Sequence, residues 1–172
     1  MIKLNPEEVK ALTQLLRPVV KKGKNVVLTN LYKRLTNRTK VELFVDGAAD
    51  LHSRTAGIGG VIYRNEDELF SFSEYIPNLT NNEAEYNALI KGVKSAIELN
   101  VLSLNIYADS ELVVKQINGQ YKVKNPRMKV LYDQVIKLLD QLEEWSLAHV
   151  SRSQNKRADT LSKEGREKGL SS

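Results

Sequence analysis

The stretch FVDGAAD, residues 44–50, begins as an apolar strand and runs without a break into an acid, a glycine and two alanines. A charged side chain at the end of a buried strand is costly unless it has a partner or a function. In open sheets, ligands and reacting groups gather at the carboxyl ends of strands. Asp46 is therefore predicted to be a functional carboxylate at the carboxyl end of a strand.

The pattern on the carboxyl-terminal side of this stretch predicts five strands. The first, VELFVD at 41–46, is followed by two more at 59–65 and 68–76, which form an antiparallel meander with a turn at NEDE. Further strands are predicted at 103–109 and 145–150, and helices at 80–100, 110–117, 126–144 and 155–169. The order βββαβααβα predicts an α/β fold, a mixed five-stranded sheet with helices on both faces.

Residues 1–40 are predicted to be a basic helical extension in front of a domain that spans 41–172. Helices are expected at 6–22, capped by Asn5 and kinked or ended by Pro18, and at 24–36. The extension holds ten Lys or Arg against two acids, a net charge of +8, whereas 41–172 holds sixteen against nineteen, a net of −3. This asymmetry indicates either a polyanionic partner, with nucleic acid first, or a solvated helix surface.

Composition narrows the class of protein and the kind of metal site. None of the 172 residues is cysteine, which excludes disulfides and thiolate ligands, so any metal is held by oxygen or by the two histidines. No stretch reaches the roughly 18 apolar residues of a membrane span, and acids interrupt the start of the chain where a signal peptide is apolar. We expect a soluble, cytoplasmic protein with no membrane partner.

Three further acids lie in positions that call for a partner. Asp109 ends the fourth predicted strand, and it converges with Asp46 if the first and fourth strands are neighbours. Glu85 shares the apolar face of its helix with Leu89 and Val93, where an unpaired glutamate is rare. A helix-dipole role in the first turn is the alternative, and it explains Glu83 better than Glu85.

Asp159 lies at the start of the last predicted helix, where an acid by itself indicates only a favourable interaction with the helix dipole. Its significance comes from the other three, because four crowded carboxylates raise one another's proton affinity unless a cation offsets the charge. Mg²⁺ prefers carboxylate and water oxygens. Such a cluster suits a two-metal displacement at a phosphodiester.

Four segments, FVDGAAD, TNNEAEYNAL, YADSELVVKQI and HVSRSQNKRADTLSKEG, resemble in order and spacing the four catalytic blocks of type 1 ribonuclease H, in the retroviral-like ribonuclease H superfamily. The resemblance covers residues 41–168. It implies hydrolysis of the RNA strand of RNA/DNA hybrids to 3′-hydroxyl and 5′-phosphate ends, with two Mg²⁺ ions per active site, or Mn²⁺ in their place. It implies metal ligands at Asp46, Glu85, Asp109 and Asp159, with Asp46 bridging both ions.

The resemblance also implies that the RNA strand is read through its 2′-hydroxyls in the minor groove. The implied nucleic-acid contacts are Gly47, Ala48, Thr80, Asn81, Asn82 and Ser110. Gly47 and Ala48 allow close backbone approach, and the asparagine amides donate and accept hydrogen bonds. Simpler roles remain open, with Thr80 or Asn81 capping a helix and Gly47 making a turn.

A loop side chain that assists proton transfer or product release is implied before the last acid. His149 has the matching spacing but ends a predicted strand, whereas Arg152 lies within the loop SRSQN and acts through charge rather than as a base. We favour Arg152. Asn155 is expected to orient the loop or to cap the last helix.

The basic, tryptophan-rich protrusion of many bacterial members is reduced here to NGQYKVKNPRMK. We expect the extension at 1–40 to supply the missing phosphate contacts, and an oligomerisation or partner-docking hairpin is the alternative. The predicted partner is an RNA/DNA hybrid. Other duplexes and the oligomeric state are left open.

Three other functions compete with a stand-alone ribonuclease H. A non-catalytic hybrid-binding domain is disfavoured because all four acids are present. An integrase or transposase is disfavoured by the TNNEAEYNAL block. A ribonuclease H domain of a reverse transcriptase would perform the same chemistry in a different protein.

Overall fold

The computed structural model describes residues 4–23, 25–36 and 41–170. The chain divides into two compact units, Met1–Thr39 and Lys40–Ser172. None of the helices in the described part of the chain has both the length and the apolar content that a membrane crossing needs.

The first unit contains two helices, α1 (Pro6–Lys21) and α2 (Val26–Thr36). Asn5 caps α1 as predicted, because its side chain accepts from the Glu8 backbone amide while the Glu8 carboxylate accepts from the Asn5 amide. Pro18 does not end α1, which continues to Lys21. Of the two alternatives predicted for Pro18, that it ends the helix is wrong, whereas the predicted range of 6–22 agrees with the observed helix to within one residue.

The second unit is built on five strands, β1 (Val41–Asp50), β2 (Thr55–Arg64), β3 (Asp67–Pro77), β4 (Ser103–Ala108) and β5 (Glu144–His149). Their spatial order is β3-β2-β1-β4-β5. β1, β2 and β3 are antiparallel neighbours, and β4 and β5 add in parallel. The predicted mixed five-stranded α/β sheet is confirmed.

Four helices complete the unit, α3 (Asn81–Glu98), α4 (Glu111–Ile117), α5 (Pro126–Leu139) and α6 (Lys156–Lys168), with a short 3-10 helix at Arg152–Gln154. The predicted order βββαβααβα is thereby confirmed.

Glycines show which helix covers which face of the sheet. A Cβ on Gly92 of α3 would lie 2.8 Å from the Leu43 side chain, so α3 packs on one face of β1. A Cβ on Gly59 of β2 would lie 2.3 Å from the Ser162 amide, so α6 packs on the other face. Residues without side chains at these crossings let both helices approach the sheet closely.

β1 does not end at Asp46, contrary to the expectation from the sequence. The strand continues to Asp50 because β2 still pairs with it, from Asp46 opposite Gly59 to Asp50 opposite Thr55. What ends near Asp46 is the parallel pairing with β4, whose last matched residues are Val45 and Ala108. Asp46 therefore lies at the point where two neighbouring strands diverge.

Candidate active site

The strand register brings the first two acids together. Val45 is opposite Ala108 in the parallel pair, so Asp46 and Asp109, the next residues along each strand, lie side by side. Asp46 is 2% exposed. The sequence predicted this convergence on the condition that β1 and β4 were neighbours, and the sheet meets that condition.

Glu85 reaches the same place from α3, and Gly47 explains how. A Cβ on Gly47 would lie 2.3 Å from the Glu85 backbone nitrogen and from the Ala84 carbonyl carbon, so any side chain there would push the first turn of α3 away. The Gly47 amide also donates a hydrogen bond to the Glu85 carboxylate. Gly47 lies within β1 and permits this close approach; it does not make a turn.

One carboxylate oxygen from each of Asp46, Glu85 and Asp109 lies within 4.8 Å of the other two. Glu85 is 8% exposed, and its Oε2 is buried with no hydrogen-bond partner in the part of the chain that the structure describes. Three carboxylates at this spacing are costly if all are charged and unpartnered. Hard divalent cations accept this donor set, because they prefer carboxylate oxygens.

Proton affinities reflect the crowding. Burial, with the neighbouring Asp109 and Asp159 charges, raises the pKa of Asp46 to about 6, although the Ser162 hydrogen bond opposes the rise. Burial and then the charges of Asp46 and Asp109 raise the pKa of Glu85 well above its ordinary value. Without a cation, the cluster therefore retains protons that isolated carboxylates lose.

Asp159 does not belong to this close group of three. Its Oδ2 accepts from Lys163 Nζ at 2.6 Å, and its Oδ1 lies 3.5 Å from Arg152 Nε. Arg152 Nε also lies 3.7 Å from Asp109 Oδ2. Two side-chain cations thus partly neutralise this side of the site.

The start of α6 holds β1 in place around Asp46. The Ser162 hydroxyl is fully buried and donates a short hydrogen bond to Asp46 Oδ2. Asn155 Nδ2 donates to the Val45 carbonyl at 2.9 Å. Asn155 is the N-cap residue of α6, but its side chain makes no capping hydrogen bond and instead fixes the strand.

An open cleft of about 650 Å³ lies over the acids. Nine of the residues predicted from the sequence line it, namely Gly47, Ala48, Asn81, Asn82, Glu85, Asp109, Ser110, His149 and Arg152. Asp46 and Asp159 do not line it, although the charge of Asp46 acts on Glu85 and the charge of Asp159 acts on Asp46.

Thr80 does not line the cleft either, and its hydroxyl is engaged within the chain. As the N-cap of α3, Thr80 forms a capping box with Glu83, as the simpler reading of the sequence held. Asn81 does not cap the helix. Its Oδ1 accepts from the Ala49 amide at 2.8 Å, which ties α3 to β1 beside the acids.

His149 and Arg152 both reach the cleft, in different ways. His149 Nε2 lies 3.2 Å from the Asp109 carbonyl oxygen, so the ring contacts the backbone of an acid. Arg152 is paired with the carboxylates of Asp109 and Asp159. Each is placed to influence the cluster, the first through a hydrogen bond and the second through charge.

The sequence prediction missed three residues of this site, Ser162, Lys163 and Arg166. Ser162 lies three, Lys163 four and Arg166 seven positions after Asp159 on α6. These spacings place all three on the same helix face as Asp159. That periodicity was the available signal.

Comparisons with known proteins give one consistent family. The family model described as "Reverse transcriptase-like" matches residues 44–165. A curated Halobacterium salinarum protein named "Ribonuclease HI" is 31% identical over 126 residues, 73% of this chain and 63% of its own length. A Mycobacterium tuberculosis "Bifunctional protein" is matched over only 34% of its length, so the chain spans less than two thirds of these relatives.

Solved structures agree with the sequence matches. The N-terminal ribonuclease H domain of a Mycobacterium tuberculosis protein, solved as a maltose-binding-protein fusion, has a TM-score of 0.74 at 32% identity, covering 77% of this chain and 97% of that chain. A ribonuclease H1 isolated from compost, solved in complex with an RNA/DNA hybrid, has a TM-score of 0.71 at 32% identity, covering 76% and 99%.

Proposed function

The chain belongs to the ribonuclease H-like family, and from that premise we propose that it is an endonuclease that hydrolyses the RNA strand of RNA/DNA hybrids. The observation that carries the proposal is the convergence of Asp46, Glu85 and Asp109 oxygens within 4.8 Å, beside an open cleft. A purely structural role would not crowd three acids at this distance.

The residues fit a divalent-metal centre. Among the described residues Glu85 Oε2 is buried without a partner, and burial together with the neighbouring carboxylates raises the pKa values of Asp46 and Glu85, so a bound cation would favour the ionised form of both. Asp46, Glu85 and Asp109 would hold the metal, with Asp159 as a fourth ligand. We propose Mg²⁺, with Mn²⁺ as an alternative, because the donors are all carboxylate oxygens.

When bound, divalent ions activate a water nucleophile and offset the charge that develops on the leaving 3′-oxygen. The protein's own residues set the geometry. Ser162 fixes the orientation of the Asp46 carboxylate, and the Gly47 amide orients that of Glu85. Arg152 supplies positive charge near the reacting phosphate and cannot act as a base. The products we propose carry 3′-hydroxyl and 5′-phosphate ends.

Selection of the RNA strand is proposed to come from the cleft wall beside the acids. Gly47, Ala48, Asn81 and Asn82 line it, and Asn81 keeps its NH₂ group for a 2′-hydroxyl because its Oδ1 is held by Ala49. Ser110 contributes from the start of α4, where its side chain makes no capping hydrogen bond.

A direct assay tests the activity. The full chain is incubated with labelled RNA/DNA hybrid, RNA duplex and DNA duplex, with Mg²⁺, Mn²⁺ or a chelator. We expect cleavage of the RNA strand of the hybrid only, dependent on the metal, and a loss of at least about 100-fold in Asp46→Asn. Hybrid binding without cleavage would instead indicate a non-catalytic hybrid-binding domain.

The first unit is proposed to add phosphate contacts to the enzyme. The net charge of +8 across residues 1–40, a range that contains this unit and Lys40, supports this role, whereas the exposure of Leu15, Val26 and Val27, at 71%, 74% and 75%, favours a docking hairpin. Deletion of residues 1–38 separates the two. Lost phosphate contacts raise KM and flatten its salt dependence, and an unchanged salt slope leaves the docking role.

A further inference from the structure

Three side-chain cations line the cleft, and they differ in their partners. Lys163 Nζ lies 2.6 Å from Asp159 Oδ2, and Arg152 Nε lies 3.5 Å from Asp159 Oδ1 and 3.7 Å from Asp109 Oδ2. Arg166 forms no ion pair within the described residues, and its Nε is buried without a hydrogen-bond partner. Only Arg166 among the three is thus left with its charge uncommitted in this part of the chain.

The backbone of α6 fixes the position of Arg166. A Cβ on Gly57 of β2 would lie 2.2 Å from the Arg166 amide nitrogen and 2.1 Å from the Ser162 carbonyl oxygen, so this turn of the helix lies directly on the sheet. Asp159 and Arg166 are separated by two helical turns, about 10 Å along the axis. Packing on the sheet therefore fixes the backbone of Arg166 at this distance from Asp159, and the side chain extends from there into the cleft.

A half-buried guanidinium with an unsatisfied donor is stabilised by an anion that enters the cleft. The backbone amides of His52 and Ser53, and to a smaller extent the charge of Arg166, lower the pKa of the nearby Asp50, but Asp50 and Arg166 form no ion pair among the described residues. Resting on the proposed function, we infer that Arg166 binds a backbone phosphate of the hybrid that flanks the scissile phosphate. It is a binding residue and not a catalytic one.

The test measures binding of the full chain to an RNA/DNA hybrid in chelator, where no cleavage occurs, across a series of salt concentrations. Arg166→Gln should weaken binding about tenfold at low salt and reduce the slope of log K against log salt by roughly 0.7 to 0.9, the value for one phosphate contact. Arg166→Lys should restore the slope. With Mg²⁺, Arg166→Gln should raise KM and leave kcat unchanged.

Arg157→Gln is the matched control, because Arg157 lies on the same helix but pairs with Glu68 at 3.3 Å and does not line the cleft. Thermal unfolding of both variants checks that they are folded. Neutral methylphosphonate linkages, placed one at a time in either strand, identify the contacted phosphate. It is the position at which the neutral linkage weakens binding of the wild type but not of Arg166→Gln.

Equal salt slopes for Arg166→Gln and Arg157→Gln would overturn the inference while leaving the proposed function intact. Failure of the wild-type chain to bind the hybrid at all would overturn the proposed function, and this inference with it.

Discussion

Two buried glutamates lie two positions apart on α3 and behave in opposite ways. Glu83 is fully engaged, because its carboxylate accepts from the amide and hydroxyl of Thr80 and pairs with Arg127 at 2.9 Å. Glu85 Oε2 has no hydrogen-bond partner among the described residues, and the Glu85 carboxylate lies near those of Asp46 and Asp109. Burial alone therefore does not mark a functional acid; burial without compensation does.

The largest expected effect comes from exchanging the charge at each of the two positions. Glu85→Gln should reduce kcat at least about 100-fold, because it removes a proposed metal ligand. Glu83→Gln should keep turnover near the wild-type value, since an amide still completes the capping box. Single-turnover cleavage of a labelled hybrid measures both. Similar losses in the two variants would erase the distinction between them.

In the absence of metal, the pH dependence of the unfolding free energy should also distinguish Glu85 from Glu83, because only Glu85 lies in the cluster with Asp46 and Asp109. The pKa of Asp46 in the folded state, about 6, lies above its ordinary value, so between about pH 4 and pH 6 the folded state binds more protons than the unfolded chain. The fold therefore loses stability as pH rises through that window, by at most on the order of 3 kcal/mol from this group. Urea unfolding in chelator from pH 4 to 8 measures the loss.

Saturating Mg²⁺ should reverse that loss above pH 6, because an ion that binds only the folded state stabilises it. Glu83→Gln should show the same pH and Mg²⁺ dependence as the wild type, whereas Glu85→Gln should be more stable in chelator and gain less from Mg²⁺. If the unfolding free energy of the wild type in chelator did not change between pH 4 and pH 8, the raised pKa values would be contradicted.

A smaller effect is expected at Ser162, whose hydroxyl donates a hydrogen bond to the Asp46 carboxylate. Ser162→Ala removes the donor to Asp46 Oδ2, so the pKa of Asp46 should rise further. We expect the Mg²⁺ concentration for half-maximal activity to rise about tenfold. Ser162→Thr keeps the hydroxyl and serves as the control, and activity is measured across a Mg²⁺ titration.

The smallest expected effect is the stability cost of Glu83→Gln. Its ion pair with Arg127 is lost, but Arg127 is 70% exposed, so the cost should be about 0.5 to 1 kcal/mol at neutral pH. Arg127→Gln should cost about the same amount in urea unfolding. A cost of several kcal/mol would place Glu83 within a network that the Thr80 capping box does not describe.

Residue pattern predicted much of the site because each acid breaks a local rule. Asp46 and Asp109 follow apolar strand residues, and Glu85 lies on the apolar face of α3, so all three were identifiable before their neighbours were known. The β1 boundary was not, because β1 continues past Asp46 only through its pairing with β2. Residues 47–50 pair with residues 55–58, and both segments consist mainly of small residues that lack the apolar alternation by which a strand is recognised in a sequence.

The sequence by itself determined the order of elements, the cap at Asn5, the capping box at Thr80 and the identity of the crowded acids, since these depend on neighbours a few positions away. Only the tertiary structure decided that Ser162 holds Asp46 from 116 positions along the chain and that Arg166 Nε is buried with no hydrogen-bond partner among the described residues. Partners distant in sequence meet only when helices and sheet pack, and that packing assigns each polar group its partner.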